Sequence, residues 1–343
     1  MSVSNNIVGR LAPSPTGSLH IGNIRTFLWA WLSARKKGGK VILRIEDLEK
    51  PAGPGVLEEM LSDLSWLGFD WDEGPVWDPG LENAFRQRAR LEIPEQGPNG
   101  PYVQSHRRDF YSSNFKTLQL SNSIYPCVCS RQDILSSQSA PQEGDRELRY
   151  PGTCRGRFES YEEAAAFIKD GRKPVWRFRV DRGPVEFDDL FSGRHRIDVD
   201  SDCGDFVAFK SPEQPSYQTA VVVDDIAMGV NEVVRGDDLI PSTARQILLY
   251  RAFGCLPPRY GHVPLVVGPD GKRLAKRHGD FRISSLRGKI RPEKIISILA
   301  RWSGLACPGF CGPKDLLGSW DWRILKKEII VLDDGLIGEL SST

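Results

Sequence analysis

The apolar positions change period several times along the chain, and each change predicts an element. Ile7 and Val8 form a short apolar run, and Pro13, Pro15, Gly17 and Gly22 then punctuate a loop. Ile24, Phe27, Leu28, Trp31 and Leu32 follow at helical spacing, so the opening reads strand, loop, helix. Lys40 to Asp47 is a β-branched run typical of a buried parallel strand. Val56, Met60, Leu64 and Leu67 return to the helical period, with Gly68 as the stop. From Trp71 to Gln104 the chain is rich in Gly, Pro and charge, which predicts a surface insertion. Strands are expected at Trp176 to Val180, Asp205 to Phe209, Val221 to Val223, Glu232 onward, and Val263 to Val267. Thr243 and Gln246 have capping-box spacing for a helix reaching about Phe253, and Arg291 to Trp302 predicts one more helix.

Strands alternating with helices imply an α/β chain, in which ligands gather at the carboxyl ends of the strands. Charged residues stand at such ends: Arg44, Glu46 and Asp47 after one strand, Arg235 within another. A salt bridge that merely closes the strand is the plain alternative. In the first loop the prolines stiffen the backbone and the glycines let it approach a ligand, just where a helix begins and its free amides attract phosphate. His20 sits at that junction, either as a helix cap or as a donor to phosphate.

A length of 343 residues predicts about two domains, and 40% hydrophobic with 27% charged residues is ordinary for a soluble chain. No leader-like start and no run long enough for a bilayer is visible, so a cytoplasmic, membrane-free protein is expected. The net charge of +1 excludes a globally basic nucleic-acid binder but not a local patch. Basic clusters occur at Arg86, Arg88 and Arg90, at Arg146, Arg149, Arg155 and Arg157, and from Lys272 to Arg282. Seven cysteines without a secretion signal argue against a disulfide framework. Cys127 and Cys129 form a Cys-x-Cys pair, and with Cys154 they offer three thiolates to one metal; buried thiols are the alternative. His106 reads as a polar helix-start residue rather than a further ligand.

Four segments, taken together, resemble class I aminoacyl-tRNA synthetases of the glutamyl and glutaminyl branch. Pro13-Ser-Pro-Thr-Gly followed by Leu19-His-Ile-Gly-Asn is similar to the first class I signature, with Asn23 in place of its second His. Arg44-Ile-Glu-Asp and Tyr217-Gln-Thr-Ala-Val-Val-Val-Asp-Asp match further segments of the branch, and Gly268 to Gly279 resembles the second signature. There Arg273 replaces a Lys and Ala275 a Ser, while Lys276 is kept.

The resemblance implies a Rossmann-like class I catalytic domain with an inserted zinc-containing α+β subdomain, a short helical C-terminal region and no anticodon-binding domain. Expected boundaries are 1–110 and 203–255 for the two catalytic halves, 111–202 for the insertion, and 256–343 for the signature loop and C-terminal region. It further implies that L-glutamate is held by Arg10, Leu11, Ala12, Pro13, Ser14, Glu46, Tyr217 and Arg235, with Glu46 on the ammonium. ATP with Mg²⁺ would meet His20, Gly22, Asn23 and Lys276, of which His20 and Lys276 are the catalytic pair. Tyr125-Pro-Cys-Val-Cys with Tyr150-Pro-Gly-Thr-Cys is similar to the short members of the branch. That likeness implies one structural zinc on Cys127, Cys129, Tyr150 and Cys154, with Arg131, Arg149, Arg155 and Arg157 beside RNA. For those short members the implied reaction is transfer of glutamate to the queuosine cyclopentenediol of tRNA(Asp), by a monomer. Two other readings stand: a short glutamyl- or glutaminyl-tRNA synthetase charging the tRNA 3′ end, and a non-catalytic binding module.

Overall fold

The structure, a computed structural model, describes residues 6–49, 53, 55–78, 93–136, 148–272, 274, 281–307 and 309–341. Strand β1 (Val8–Leu11) leads through the proline loop into helix α1 (Ile21–Lys36), and β2 (Lys40–Leu43) returns parallel to β1 with Val8 opposite Lys40 and Leu11 opposite Leu43. Gly39 makes the return possible, because a Cβ there would lie 2.4 Å from the Ile7 carbonyl oxygen. Helix α2 (Val56–Trp66) follows, and the insertion contributes only the small pair β3 (Gly74–Pro75) and β4 (Glu95–Gln96) among the described residues. Helix α3 (Arg108–Leu120) then carries the chain outward.

The next layer is an antiparallel sheet in the order β10 (Gln214–Pro215), β9 (Val207–Ser211), β6 (Val175–Phe178), β5 (Ile124–Cys127). Short helices α4 (Arg131–Ser136) and α5 (Tyr161–Phe167) flank it. A hairpin, β7 (Val185–Asp189) and β8 (Gly193–Ile197), leaves this region and joins a second sheet in the order β11 (Glu232–Gly236), β12 (Arg259–Val263), β7, β8. Strand β11 lies against β1, tied by the Asn231 N–H to the Val8 carbonyl (3.0 Å) and by the Val8 N–H to the Asn231 side chain (2.9 Å). The strand ends carrying Arg10, Glu46 and Arg235 thereby meet.

Two large cores result: one holds α1, β2, α2 and the C-terminal elements, the other α3 and the central strands. A third, made of Tyr125, Cys127, Ile134, Tyr150 and Cys154, is far smaller.

Four expectations need correction. Val221 to Val223 lie in helix α6 (Tyr217–Ala227), not in a strand. This helix is buried from Thr219 to Asp225 on every side, so no polar face reveals its period. Helix α7 (Ile240–Ala252) starts before Thr243, whose hydroxyl is spent on Arg235 rather than on a cap. The run Val263 to Val267 is split between β12 and β13 (Val266–Val267, paired with β14, Ile330–Val331), because Pro264 has no N–H for the ladder. Cys307 and Cys311 form a disulfide just beyond helix α8 (Pro292–Trp302), where a tight loop brings their Cα atoms to 6.5 Å.

Candidate active site

At the N-terminus of α1, His20 occupies the cap position. Its Nδ1 accepts the Asn23 N–H (3.3 Å), and the Asn23 side-chain oxygen accepts the His20 N–H (3.1 Å). Asn23, standing where a second imidazole was expected, therefore completes a reciprocal capping box. With Nδ1 an acceptor, a neutral His20 carries its proton on Nε2 and is a donor there. The segment after the second signature closes on the same point: Ile21 N–H donates to the Phe281 carbonyl (3.2 Å) and Ile283 N–H to the Leu19 carbonyl (2.8 Å). Arg273, Ala275 and Lys276 lie outside the described residues.

The strand ends build a buried cluster of three guanidinium groups. Arg44, wholly buried, donates to Asp225 (2.6 Å) and to Glu46 (3.1 Å), so the strand-end salt bridge exists and belongs to a larger array. Burial alone would lower the Arg44 pKa, but Asp225, Glu46 and Asp224 hold it well above its ordinary value. Arg10 donates to the Val234 carbonyl (3.2 Å) and stands 3.9 Å from Asp225. Burial pulls its pKa down, and the neighbouring Arg44 and Arg235 add to that. Burial raises the Glu46 carboxyl, against the pull of Arg44 and Arg10. Tyr217 rises for the same first reason, with Glu46 adding to it.

Arg235 donates to Thr243 Oγ1 (2.6 Å) and to His262 Nε2 (3.2 Å). Among the described residues, three nitrogens of this guanidinium cluster, Arg10 Nε, Arg44 Nε and Arg235 Nη1, are buried without a hydrogen-bond partner. Such atoms are costly unless a ligand accepts from them, and a carboxylate is the natural acceptor.

The first loop contributes backbone more than side chains. Leu11 is fully buried in the core and its carbonyl accepts the Arg44 N–H (2.9 Å), while the Pro13 carbonyl accepts the Glu46 N–H (3.0 Å). Ser14 is exposed and Ala12 half-buried at the rim. The sequence marked Arg44 only as a charged strand-end residue, and it did not single out Asp225, His262 or Asp189. Arg44 and Glu46 share one strand face at i and i+2, which is a readable sign; the others come from distant segments.

Across a cleft of about 540 Å³ from Tyr217, Gln218 and Arg245 stand Arg131 and Arg177. Behind it the sulfurs of Cys127, Cys129 and Cys154 lie within 4.8 Å of one another. The Tyr150 hydroxyl is 3.3 Å from Cys127 Sγ and 3.9 Å from Cys129 Sγ, and Cys129 Sγ is 3.5 Å from Cys154 Sγ. Ligand atoms on a tetrahedral zinc are spaced roughly 3.5 to 3.8 Å apart, so this donor set fits such an ion. Hydrogen bonds from Cys127 and Cys129 hold the Cys154 thiol far below its ordinary range. His106 is exposed and outside this cluster. Of the basic side chains near it, Arg149 is tied to Asp200 (2.7 Å to its carbonyl), and Arg157 stacks on Phe167 (4.4 Å).

The fold and the cluster at the strand ends define a class I synthetase catalytic domain: the family described as "tRNA synthetases class I (E and Q), catalytic domain" matches residues 6–314, and the chain belongs to that family of aminoacyl-tRNA ligases. In particular, it is 42% identical over 339 residues to the glutamyl-Q tRNA(Asp) synthetase of Symbiobacterium thermophilum, covering 98% of each chain. It is 44% identical over 316 residues to the protein of the same name from Nitratidesulfovibrio vulgaris, covering 91% of each. Among solved structures, a glutamate-tRNA synthetase from Elizabethkingia anophelis superposes with a TM-score of 0.78 at 25% identity, over 98% of this chain and 70% of that one. The family implies ATP and Mg²⁺ as co-substrates. No described helix is long and apolar enough to cross a membrane.

Proposed function

We propose that the protein activates L-glutamate with ATP and transfers it to a hydroxyl of the queuosine cyclopentenediol in tRNA(Asp). The observation that carries the amino-acid assignment is the set of buried nitrogens on Arg10, Arg44 and Arg235 that lack a hydrogen-bond partner, beside Glu46. An amino acid with an anionic side chain supplies a carboxylate for guanidinium and an ammonium for Glu46. An uncharged side chain would leave Arg235, which meets no carboxylate among the described residues, without an anion.

In the first step a glutamate α-carboxylate oxygen attacks the α-phosphorus of ATP and pyrophosphate leaves. The His20 Nε2–H and the helix-start amides stabilise the developing charge, with Lys276 as their partner on the leaving group. In the second step the nucleoside hydroxyl attacks the carbonyl carbon of the mixed anhydride and AMP leaves. The anhydride is already activated, so positioning the acceptor is the main task. The cleft beside Tyr217, lined by Arg131, Arg177 and Arg245 and by the carboxylates Glu49 and Asp205, offers room for a nucleoside, with Arg131 able to meet a phosphate. A zinc on Cys127, Cys129, Tyr150 and Cys154 would stiffen the wall of that cleft and take no part in the chemistry.

The acceptor assignment leans on the two glutamyl-Q relatives, each matched over nine-tenths or more of its length. The test is transfer of labelled glutamate, with ATP and Mg²⁺, to tRNA(Asp) containing queuosine, to tRNA(Asp) lacking it, and to tRNA(Glu). Label on the modified tRNA(Asp) alone is expected. Label on tRNA(Glu) would instead make this a short glutamyl-tRNA synthetase, a reading favoured by 40% identity to a glutamate-tRNA ligase of Syntrophus aciditrophicus. Absence of glutamate-dependent ATP–pyrophosphate exchange would leave only a binding module.

A further inference from the structure

Among the described residues, no carboxylate holds Arg235. Its Nε–H donates to His262 Nε2 (3.2 Å) and its Nη2–H to Thr243 Oγ1 (2.6 Å), while Thr243 Oγ1 and His262 Nε2 are themselves 2.9 Å apart. His262 Nδ1 lies 2.7 Å from Asp189 Oδ2. All four side chains are buried. Asp189 also accepts backbone N–H groups from Phe191 (2.9 Å), Ser192 (2.8 Å) and His262 (3.1 Å), so its carboxylate is fixed in place. Those bonds lie at the turn of the β7–β8 hairpin, and Asp189 pairs in register with Tyr260 of β12.

The protonation pattern follows from the partners. An ionised carboxylate only accepts, so His262 Nδ1 carries the proton and Nε2 presents its lone pair. That lone pair is what Arg235 needs. Burial keeps His262 below its ordinary pKa despite Asp189, with Arg235 pushing the same way; burial would raise the Asp189 carboxyl, but His262 and the backbone donors hold it below its own ordinary value. A ring with its proton on Nε2 would put N–H against N–H and turn Arg235 away.

We propose that Asp189, His262 and Thr243 form a positioning relay for the substrate's side-chain carboxylate: Asp189 fixes the His262 tautomer, and His262 and Thr243 take two edges of Arg235, leaving Nη1 for the ligand. His262 is thus a positioning residue that sets amino-acid specificity without touching the amino acid. The relay also links the hairpin that emerges from the inserted region to the substrate site. This inference rests on the assignment of Arg235 to glutamate made above.

The test measures KM and kcat for glutamate and ATP separately in the full chain by ATP–pyrophosphate exchange. His262→Leu and Asp189→Asn are expected to raise the glutamate KM by about 10- to 100-fold, as loss of a buried hydrogen bond to a charged group does, with the ATP KM unchanged. His262→Gln, whose amide can donate to Asp189 and accept from Arg235, is expected to restore most of the affinity. A uniform fall in kcat with both KM values raised would mean a merely structural role and would overturn the relay. So would a wild-type glutamate KM in Asp189→Asn, which is isosteric and keeps an acceptor for the backbone donors. Imidazole ¹⁵N shifts of the wild-type protein need no variant: a His262 ring protonated on Nε2 would overturn the relay outright. Arg235→Ala separates the two levels of inference. If it leaves the glutamate KM unchanged, the glutamate assignment fails and the relay with it; if it raises KM while the His262 and Asp189 variants do not, only the relay fails.

Discussion

His20 and Gly22 act as one unit. A Cβ on Gly22 would lie 3.1 Å from His20 Cε1 and Nδ1, closer than a ring held by the Asn23 N–H can accept without moving. Gly22→Ala is therefore expected to slow adenylate formation by about 10-fold through a displaced imidazole, as small misplacements in a preorganised site do. Its Tm should stay near wild type, since alanine favours the helix; single-turnover kinetics beside a thermal melt separate the two effects. Asp63 behaves differently. It is buried in α2, its carboxylate oxygens accept no hydrogen bond and its one ion-pair contact among the described residues is Arg287 at 3.6 Å; burial, then Glu59, push its pKa up to about 7. A pKa higher in the folded chain than in the unfolded one gives stability that is whole below the unfolded value of 3.8 and is lost as pH rises through about 7. Asp63→Asn should remove that loss, raising unfolding free energy by about 4 kcal/mol at pH 8 and hardly at all at pH 4. Urea titrations at both pH values check it.

At the scale of elements, the cysteine module has the smallest of the three cores. Its core comprises Tyr125, Cys127, Ile134, Tyr150 and Cys154, too few apolar groups to offset the ordering of the chain around them. A zinc ion would supply the missing free energy. The purified protein is expected to carry one equivalent by mass spectrometric metal analysis, and chelation should speed amide exchange around residues 124–135 and 148–158 while β1, α1 and β11 stay protected. Tyr150→Phe should weaken zinc retention; unchanged retention would make the phenol a neighbour and not a ligand. The capping box shows the opposite case, an element whose start is secured by two side chains of its own.

Across the whole molecule, one buried carboxylate joins parts that are far apart in sequence. Asp224 in α6 accepts from Arg107 Nε (2.7 Å), Gln104 (2.8 Å) and Tyr111 (3.0 Å), linking the start of α3 to the centre of the second core. Burial raises the Asp224 pKa even so, which shows how much those partners are needed. Arg107→Met would remove the cation hydrogen-bonded to that carboxylate and is expected to cost about 3 kcal/mol in urea unfolding, because removing one partner strands the other. A change below about 1 kcal/mol would mean that Arg44, 3.9 Å from Asp224, suffices alone.

Local order was legible where a signal is local. The strand, proline loop and helix of residues 8–36, the strand at Lys40 and the helix at Pro292 follow from hydrophobic period and punctuation, and the sequence by itself determined them. It also marked Arg44, Glu46 and Arg235 at strand ends, and the three cysteines that meet; Arg10 came only from the family resemblance. Helix α6 was hidden because a helix buried all round has no polar face to betray its period. Only the tertiary structure decided that the β7–β8 hairpin joins β12, and hence that Asp189 meets His262 and that Thr243 serves Arg235. Those pairings cross long stretches of chain, and their free energy comes from burial and partner geometry that no window of sequence contains.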